Sequence, residues 1–289
     1  MTHTIEEVCR RALTLPCSPA LLPRLIELLQ RPDTDIEDLA RLIQLDTVLA
    51  SATVRMANSV YFSGGTGAET VAEAVMRLGA RELYRLAALS LASRWMSIEA
   101  DGYRWEPGDF CRASLVKAVA AEALAQHTGK VDPALAYTCG LVHEIGKLAV
   151  AFSCADAFNS VRARCAADGS TWLEAEKTVL GFNHAEVSTR LLREWNFPAA
   201  CVAMAQLNPP SVEMAAEHRP LAAHIHAAGH LAASFGAGQG EDAFLYVLDD
   251  ALLAIEGIDA GLLDALLPSV LERAGQLLRG QLNTGPVNF

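Results

Sequence analysis

Apolar residues recur at three- and four-residue intervals through almost the entire chain. This spacing gives a helix one apolar stripe, and it does not match the alternating polarity of a half-buried strand. Helix starts are marked by a capping residue with Glu three positions later, or by a first-turn proline. These starts are Ser18-Pro19, Asp132-Pro133, Thr34 with Glu37, Thr70 with Glu73, Thr171 with Glu174, and Asn183 with Glu186. The sequence therefore predicts an all-α fold.

Interruptions rich in glycine and proline divide this helical pattern into segments. Asp101-Gly102 and Pro107-Gly108 mark a join over residues 99–108. We expect an N-terminal helical bundle over residues 1–98, packed on a second helical bundle over residues 109–235. A glycine-rich break then precedes a short helical C-terminal extension over residues 236–289.

Composition narrows the classes of partner. The net charge of −11 opposes nucleic-acid binding, which depends on neutralising phosphates with Lys and Arg. No uninterrupted apolar run approaches the roughly 18 residues of a membrane span, and Glu6 and Glu7 stand where a secretory signal has basic residues. The seven cysteines are odd in number and lack C-x-x-C spacing, which favours free, buried thiols. We expect a cytoplasmic protein that binds neither nucleic acid nor membrane.

The segment Gly140–Leu148, with the sequence GLVHEIGKL, is the most informative stretch of the chain. Glycine in a helix interior costs up to about 1 kcal/mol relative to alanine, so Gly140 and Gly146 predict close backbone packing. His143 beside an acid, followed by Gly146-Lys147, resembles the H-D-x-G-K signature of the HD phosphohydrolase superfamily. In those enzymes histidines and aspartates hold a divalent metal that activates water.

The chain resembles one branch of that superfamily more closely, the HDOD domains, over roughly residues 13–235. The resemblance rests on several motifs that occur in order and with plausible spacing. They are Leu15-Pro16-x-x-Pro19, Leu42-Ile43-Gln44-Leu45-Asp46, Met56-Ala57-Asn58-Ser59, Val71-x-Glu73-Ala74-Val75-x-Arg77-Leu78-Gly79, the HD-like stretch, Gly181–Val187 and Arg193–Pro198. The second bundle is accordingly expected to be HD-like.

The resemblance also implies which metal ligands this chain keeps and which it lacks. His143 and His184 are retained, and Lys147 completes the motif, whereas the bridging Asp is replaced by Glu144. At the other ligand positions, the histidines and the aspartate of the family are replaced by residues that cannot take over their role as metal ligands: Ala113, Asn208 and Gly229. We therefore expect a degenerate cleft with no bound metal and no cofactor, and a protein that is not an enzyme.

HDOD domains are regarded as regulatory modules in bacterial signal transduction, so the resemblance implies contacts with signalling proteins that the sequence does not identify. The alternative is a divergent metal-dependent phosphohydrolase acting on a nucleotide or cyclic dinucleotide. It would need surrogate ligands, such as His184 with the cluster His224, His226 and His230, although solvated or capping histidines are the simpler interpretation of that cluster. A third hypothesis is a sensor that binds a nucleotide without turnover.

Arg77, Arg81 and Arg85 recur at four-residue intervals, which predicts one arginine face on a helix. Such a face could receive an acidic partner or a phosphate. The alternative is an ordinary solvated face on which Glu82 and its neighbours pair with the arginines.

Overall fold

The helical pattern becomes a succession of α-helices in the computed structural model. The structure describes residues 3–12, 21–31, 34–59, 62, 67–95, 98, 102–234, 236, 240 and 248–282, and these residues contain no strand. The helices are α1 (Ile5–Ala12), α2 (Leu21–Gln30), α3 (Ile36–Gln44), α4 (Thr47–Ala57), α5 (Val71–Arg94), α6 (Asp109–Thr128), α7 (Pro133–Val142), α8 (Ile145–Ser153), α9 (Phe158–Asp168), α10 (Trp172–Leu180), α11 (His184–Glu194), α12 (Ala199–Gln206), α13 (Arg219–Ser234), α14 (Asp250–Glu256) and α15 (Ala260–Leu282). The predicted all-α fold is confirmed.

Most of the predicted helix starts are confirmed by cap geometry. Thr171 and Asn183 both form reciprocal capping boxes, and Asp132 caps α7 ahead of its first-turn proline. The prediction that Thr34 caps α3 is wrong, because the Asp35 side chain accepts the Glu37 amide instead. Ser18-Pro19 lies outside the described residues.

The chain forms two compact units, Pro19–Leu91 and the combination of Met1–Ser18 with Ala92–Phe289. This grouping differs from the predicted bundle boundaries at both ends. Helix α1 packs on α8 and α11, and α15 packs on α6, because both helices carry buried apolar faces. Helices α1 and α15 therefore belong to the larger unit.

The long helix α5 is broken at Gly79, which adopts φ 72° and ψ 167°. A left-handed φ of this kind is readily available to glycine alone, so the helical path changes direction there. Arg77 precedes the break, whereas Arg81 and Arg85 follow it. The predicted continuous arginine face is therefore wrong.

The larger unit has a strongly apolar interior. The stretch Pro133–Ser153 is apolar and long enough to cross a membrane, but 78% of its most apolar window is buried inside the protein. Core helices pass the same test, so the finding is weak evidence for a membrane span. Six cysteines lie in the described residues, all free and five of them buried, as predicted, while Cys17 lies outside that range.

Candidate functional site

His143 and Glu144 form the corner between α7 and α8, and both residues are buried. Two close helix contacts position this corner. A Cβ at Gly140 would lie 2.9 Å from Ala118 Cα, so only glycine lets α7 approach α6 this closely. The predicted close packing of Gly140 is confirmed.

Gly146 makes the equivalent approach at the start of α8. Its amide donates a hydrogen bond to Ser188 Oγ on α11 at 2.8 Å. A Cβ would lie 2.5 Å from Ser188 N and closer still to His184 O, which real side chains do not tolerate. The second predicted glycine contact is therefore also confirmed, and the two contacts fix the corner between α6 and α11.

The Glu144 carboxylate is bound by two ammonium groups. Lys117 on α6 forms an ion pair with Glu144 Oε2, and Lys147 Nζ lies 2.6 Å from Oε1. Burial alone would raise the pKa of Glu144, but the charges of Lys117 and Lys147 hold that pKa well below its usual range. The buried acid is consequently ionised and already compensated by cations that belong to the chain.

His143 is held as a neutral ring. Its Nδ1 lies 2.9 Å from the carbonyl oxygen of Cys139, an acceptor, so Nδ1 carries the proton. Burial is the largest influence on the ring and lowers the pKa of His143 to about 4, although the nearby Glu144 carboxylate opposes the shift. Nε2 lies 4.0 Å from Glu144 Oε2, too far for a hydrogen bond.

A small cavity adjoins this corner. It has a volume of about 20 Å³, which is room for roughly one water molecule. Asn208, Gly229 and His226 line it together with His143, Glu144 and Lys117. The structure thus brings Asn208 and Gly229 beside His143 and Glu144, as the resemblance implied, whereas Ala113 lies one turn before Lys117 on α6 and does not line the cavity.

The donor atoms at this corner do not fit a divalent metal. Asn208 and Gly229 supply no carboxylate or imidazole, and the one acidic ligand, Glu144, already neutralises two lysines. Among the residues that the structure describes, no group of three or more His, Cys, Asp or Glu side chains is arranged to hold a metal ion. A metal would have to displace the Lys117 ammonium to reach the carboxylate.

His184 lies in a separate buried network. Its Nδ1 and its backbone amide are both 2.8 Å from Glu176 Oε2, and Tyr103 donates to Glu176 Oε1 at 2.5 Å. Burial would raise the pKa of Glu176, but the contacts with His184 and Tyr103 lower it. His184 does not line the cavity beside His143, and its Nδ1 contacts Glu176 on α10.

The histidines of α13 are engaged by neighbouring groups. His224 is buried, with Nδ1 2.6 Å from Pro220 O and Nε2 2.7 Å from Thr128 Oγ1. The Nε2 atom of His226 accepts the Asp249 amide at 2.9 Å, ahead of α14. A capping role is therefore confirmed for His226, whereas the interpretation of His224 as a solvated residue is wrong.

The three arginines of α5 occupy different environments. Arg77 donates to Ala57 O at 3.3 Å and lies 3.4 Å from Asn58 Oδ1. Arg81 is exposed, whereas Arg85 is largely buried in an ion pair with Glu82. Pairing with Glu82, which the sequence offered as the ordinary interpretation, is confirmed for Arg85.

Reasoning from the sequence missed three residues of these networks: Lys117, Glu176 and Tyr103. Lys117 stands four residues after Ala113, on the same face of α6, and that spacing was the available signal. No comparable spacing links Tyr103, in the predicted join, to Glu176 on α10. Their contact depends on tertiary packing.

Comparison with known proteins supplies the family. The model of the HDOD domain family matches residues 15–208. A curated relative, an uncharacterized protein of Treponema pallidum (strain Nichols), is 25% identical over 76% of this chain, and the chain spans only 42% of that protein.

Solved structures share the fold. An HDOD domain protein from Geobacter sulfurreducens matches with a TM-score of 0.66 and 20% identity, covering 93% of this chain and 97% of its own. A Shewanella amazonensis protein named "Putative phosphohydrolase" has a TM-score of 0.67 and 24% identity, covering 96% of both chains. A Marinobacter aquaeolei protein named "Putative signal transduction protein" has a TM-score of 0.69 and 22% identity, covering 93% of this chain and 59% of its own. These likenesses establish the fold of the chain.

Proposed function

This chain belongs to the HDOD domain family, and from that premise we propose that it is a regulatory module of signal transduction that acts by binding other proteins. In this proposal the HD-like cleft is degenerate and the protein is not an enzyme. Its setting is the bacterial cytoplasm, its partners are signalling proteins, and it binds neither nucleic acid nor membrane.

The observation that carries the proposal is the position of Lys117. Metal-dependent phosphohydrolysis needs a carboxylate that is available to a divalent cation. Here the carboxylate of Glu144 faces the ammonium group of Lys117 and receives a second one from Lys147. An ammonium group supplies one positive charge. Unlike a bound metal ion, it can neither activate a water molecule nor coordinate a substrate.

The surrounding groups support the same proposal. The neutral His143 ring donates to a backbone carbonyl, and its other nitrogen is one isolated donor for a metal. The cavity beside it has room for about one water molecule, which is too little for a nucleotide. His184, His224 and His226 are each occupied by other partners, so the surrogate ligands that the phosphohydrolase alternative requires are committed elsewhere.

The proposal is tested by measuring metal binding and hydrolysis on the same preparation. We expect calorimetric titration with Mn²⁺ to give no stoichiometric binding. We expect no hydrolysis of bis-p-nitrophenyl phosphate or of a cyclic dinucleotide above the level of a His143→Ala control. Turnover that the His143→Ala substitution abolishes would overturn the proposal in favour of a phosphohydrolase.

A further inference from the structure

We propose that the groove between α2 and α3 is a docking site for an acidic amphipathic helix of a partner protein. The groove has a volume of about 450 Å³ and lies wholly within the unit Pro19–Leu91. This inference rests on the proposed function, since it names the kind of partner that a protein-binding regulatory module would receive. It is independent of the chemistry of the cleft.

Each of the two helices lines the groove with side chains at the same spacing. Arg24 and Leu28 lie at i and i+4 on α2, with Arg31 at i+7 just after its last residue. Asp38 and Leu42 lie at i and i+4 on α3, with the C-cap residue Leu45 at i+7. Residues at these spacings lie on one side of a helix and extend over about 10 Å, or two turns. A groove lined in this way on both sides can receive an amphipathic helix, which contacts its partner through side chains at i, i+3, i+4 and i+7.

Leucines form the apolar part of the groove. Leu28 and Leu42 lie deeper, whereas Leu45 is 71% exposed at the corner between α3 and α4. That corner is fixed by hydrogen bonds, because Leu45 N donates to Leu42 O and the Asp46 side chain accepts the amides of Val48 and Leu49. The capped backbone therefore holds Leu45 outward, where an apolar partner would cover it.

The charges that line the groove favour an acidic partner. The groove carries three arginines, Arg24, Arg31 and Arg41, against two acids, Glu27 and Asp38, on a chain whose net charge is −11. Arg31 pairs with Glu27 and Arg41 with Asp38, but these side chains are 50–72% exposed. Exposed pairs of this kind contribute only about 0–1 kcal/mol, so they can exchange partners at small cost. A partner helix with acidic residues beside its apolar residues is therefore complementary to the arginines and leucines of the groove.

The experiment uses the full chain as bait for a display library of random peptides of about 16 residues, or four helical turns. Peptides are counter-selected on the Leu45→Ser chain. We expect the enriched peptides to carry Asp or Glu beside apolar residues at i, i+3 or i+4, and i+7. Their affinity is then measured by fluorescence anisotropy and should fall steeply with added salt.

Substitutions locate the binding surface. Leu45→Ser and Arg41→Glu should each weaken the binding of the selected peptides by about tenfold or more, since each changes a side chain that lines the groove. Met76→Ser is the matched control, because Met76 is 59% exposed but does not line the groove, and it should leave the affinity unchanged. Circular dichroism should show the same helical content in all three variants.

Several outcomes would overturn the inference. One is a selection that yields no acidic amphipathic peptides. Another is a set of peptides whose affinity is unchanged by Leu45→Ser and Arg41→Glu. Leu45-dependent binding to anionic lipid vesicles would identify a membrane surface instead, and a Leu45-dependent dimer in sedimentation would identify a second copy of the chain. Metal binding or hydrolysis at the cleft would defeat the proposed function and leave these peptide affinities unaltered.

Discussion

Replacing Glu144 by Gln tests whether this carboxylate neutralises the two lysines of the cleft. The side chains of Lys117 and Lys147 are only 15% and 12% exposed, so water cannot replace the lost charge. Removing one partner of a buried ion pair typically costs about 3–5 kcal/mol, because the remaining charge is left uncompensated. We expect Glu144→Gln to lower the free energy of unfolding by about that amount, since it leaves two neighbouring cations.

The companion substitution Lys117→Met should be far milder. Methionine preserves most of the buried volume, and Glu144 keeps Lys147 at 2.6 Å. We expect a loss of about 1–2 kcal/mol. The double variant, Lys117→Met with Glu144→Gln, removes one cation together with the carboxylate. It should be more stable than Glu144→Gln alone, with a coupling energy of at least about 1 kcal/mol.

The assay is urea unfolding followed by circular dichroism at pH 7, with the four chains compared at one protein concentration. Glu27→Gln is the matched control. Its pair with Arg31 is 56–65% exposed, so its loss should change stability by no more than about 0.5 kcal/mol. If Glu144→Gln behaves like Glu27→Gln, or if the two cleft substitutions are additive, the internal ion pair is not what stabilises the corner.

Three further predictions concern the same molecule. The pKa of His143 is about 4 in the folded protein and 6.5 in an unfolded chain. The contribution of neutral His143 to the free energy of unfolding should therefore be complete above pH 6.5. It should fall by about 3 kcal/mol as the pH drops toward 4, and His143→Asn should flatten this decline in urea titrations. Gly146→Ala should destabilise the protein by about 2–4 kcal/mol in thermal melts, whereas Gly261→Ala should change stability by about 0.5 kcal/mol or less. Arg85→Ala should lower the melting temperature measurably, and Arg81→Ala should leave it unchanged, since only Arg85 is largely buried.

The helical architecture could be predicted from sequence because its signals are local. Thr171 and Glu174 are three residues apart and satisfy each other's backbone amides, so their capping box needs no knowledge of the fold. The glycines of the motif were similarly informative. Gly140 and Gly146 predicted close packing before any neighbour was known, and both now lie against another helix.

The features that sequence reasoning missed all depend on distant residues or on backbone conformation. Lys117 and Glu144 are 27 residues apart, and Tyr103 and Glu176 are 73 apart, so no helical period links them. Gly79 belonged to a recognised motif, but its identity alone did not reveal that it would adopt a left-handed φ and break the arginine face. The contact of His184 with Glu176 could not be predicted either, because Glu176 belongs to a neighbouring helix.

The position of α1 has a consequence for how the chain acquires its fold. Residues 5–12 pack on α8 and α11, which end at residues 153 and 194, whereas Pro19–Leu91 is a continuous segment with its own core. A ribosome adding 5–20 residues per second would leave α1 without its partner helices for roughly ten seconds or longer. The segment that follows α1 can condense during that interval. Helix α1 is synthesised before its partner helices and is thus among the last helices to be buried, and Val8 and Cys9 stay accessible to chaperones until then.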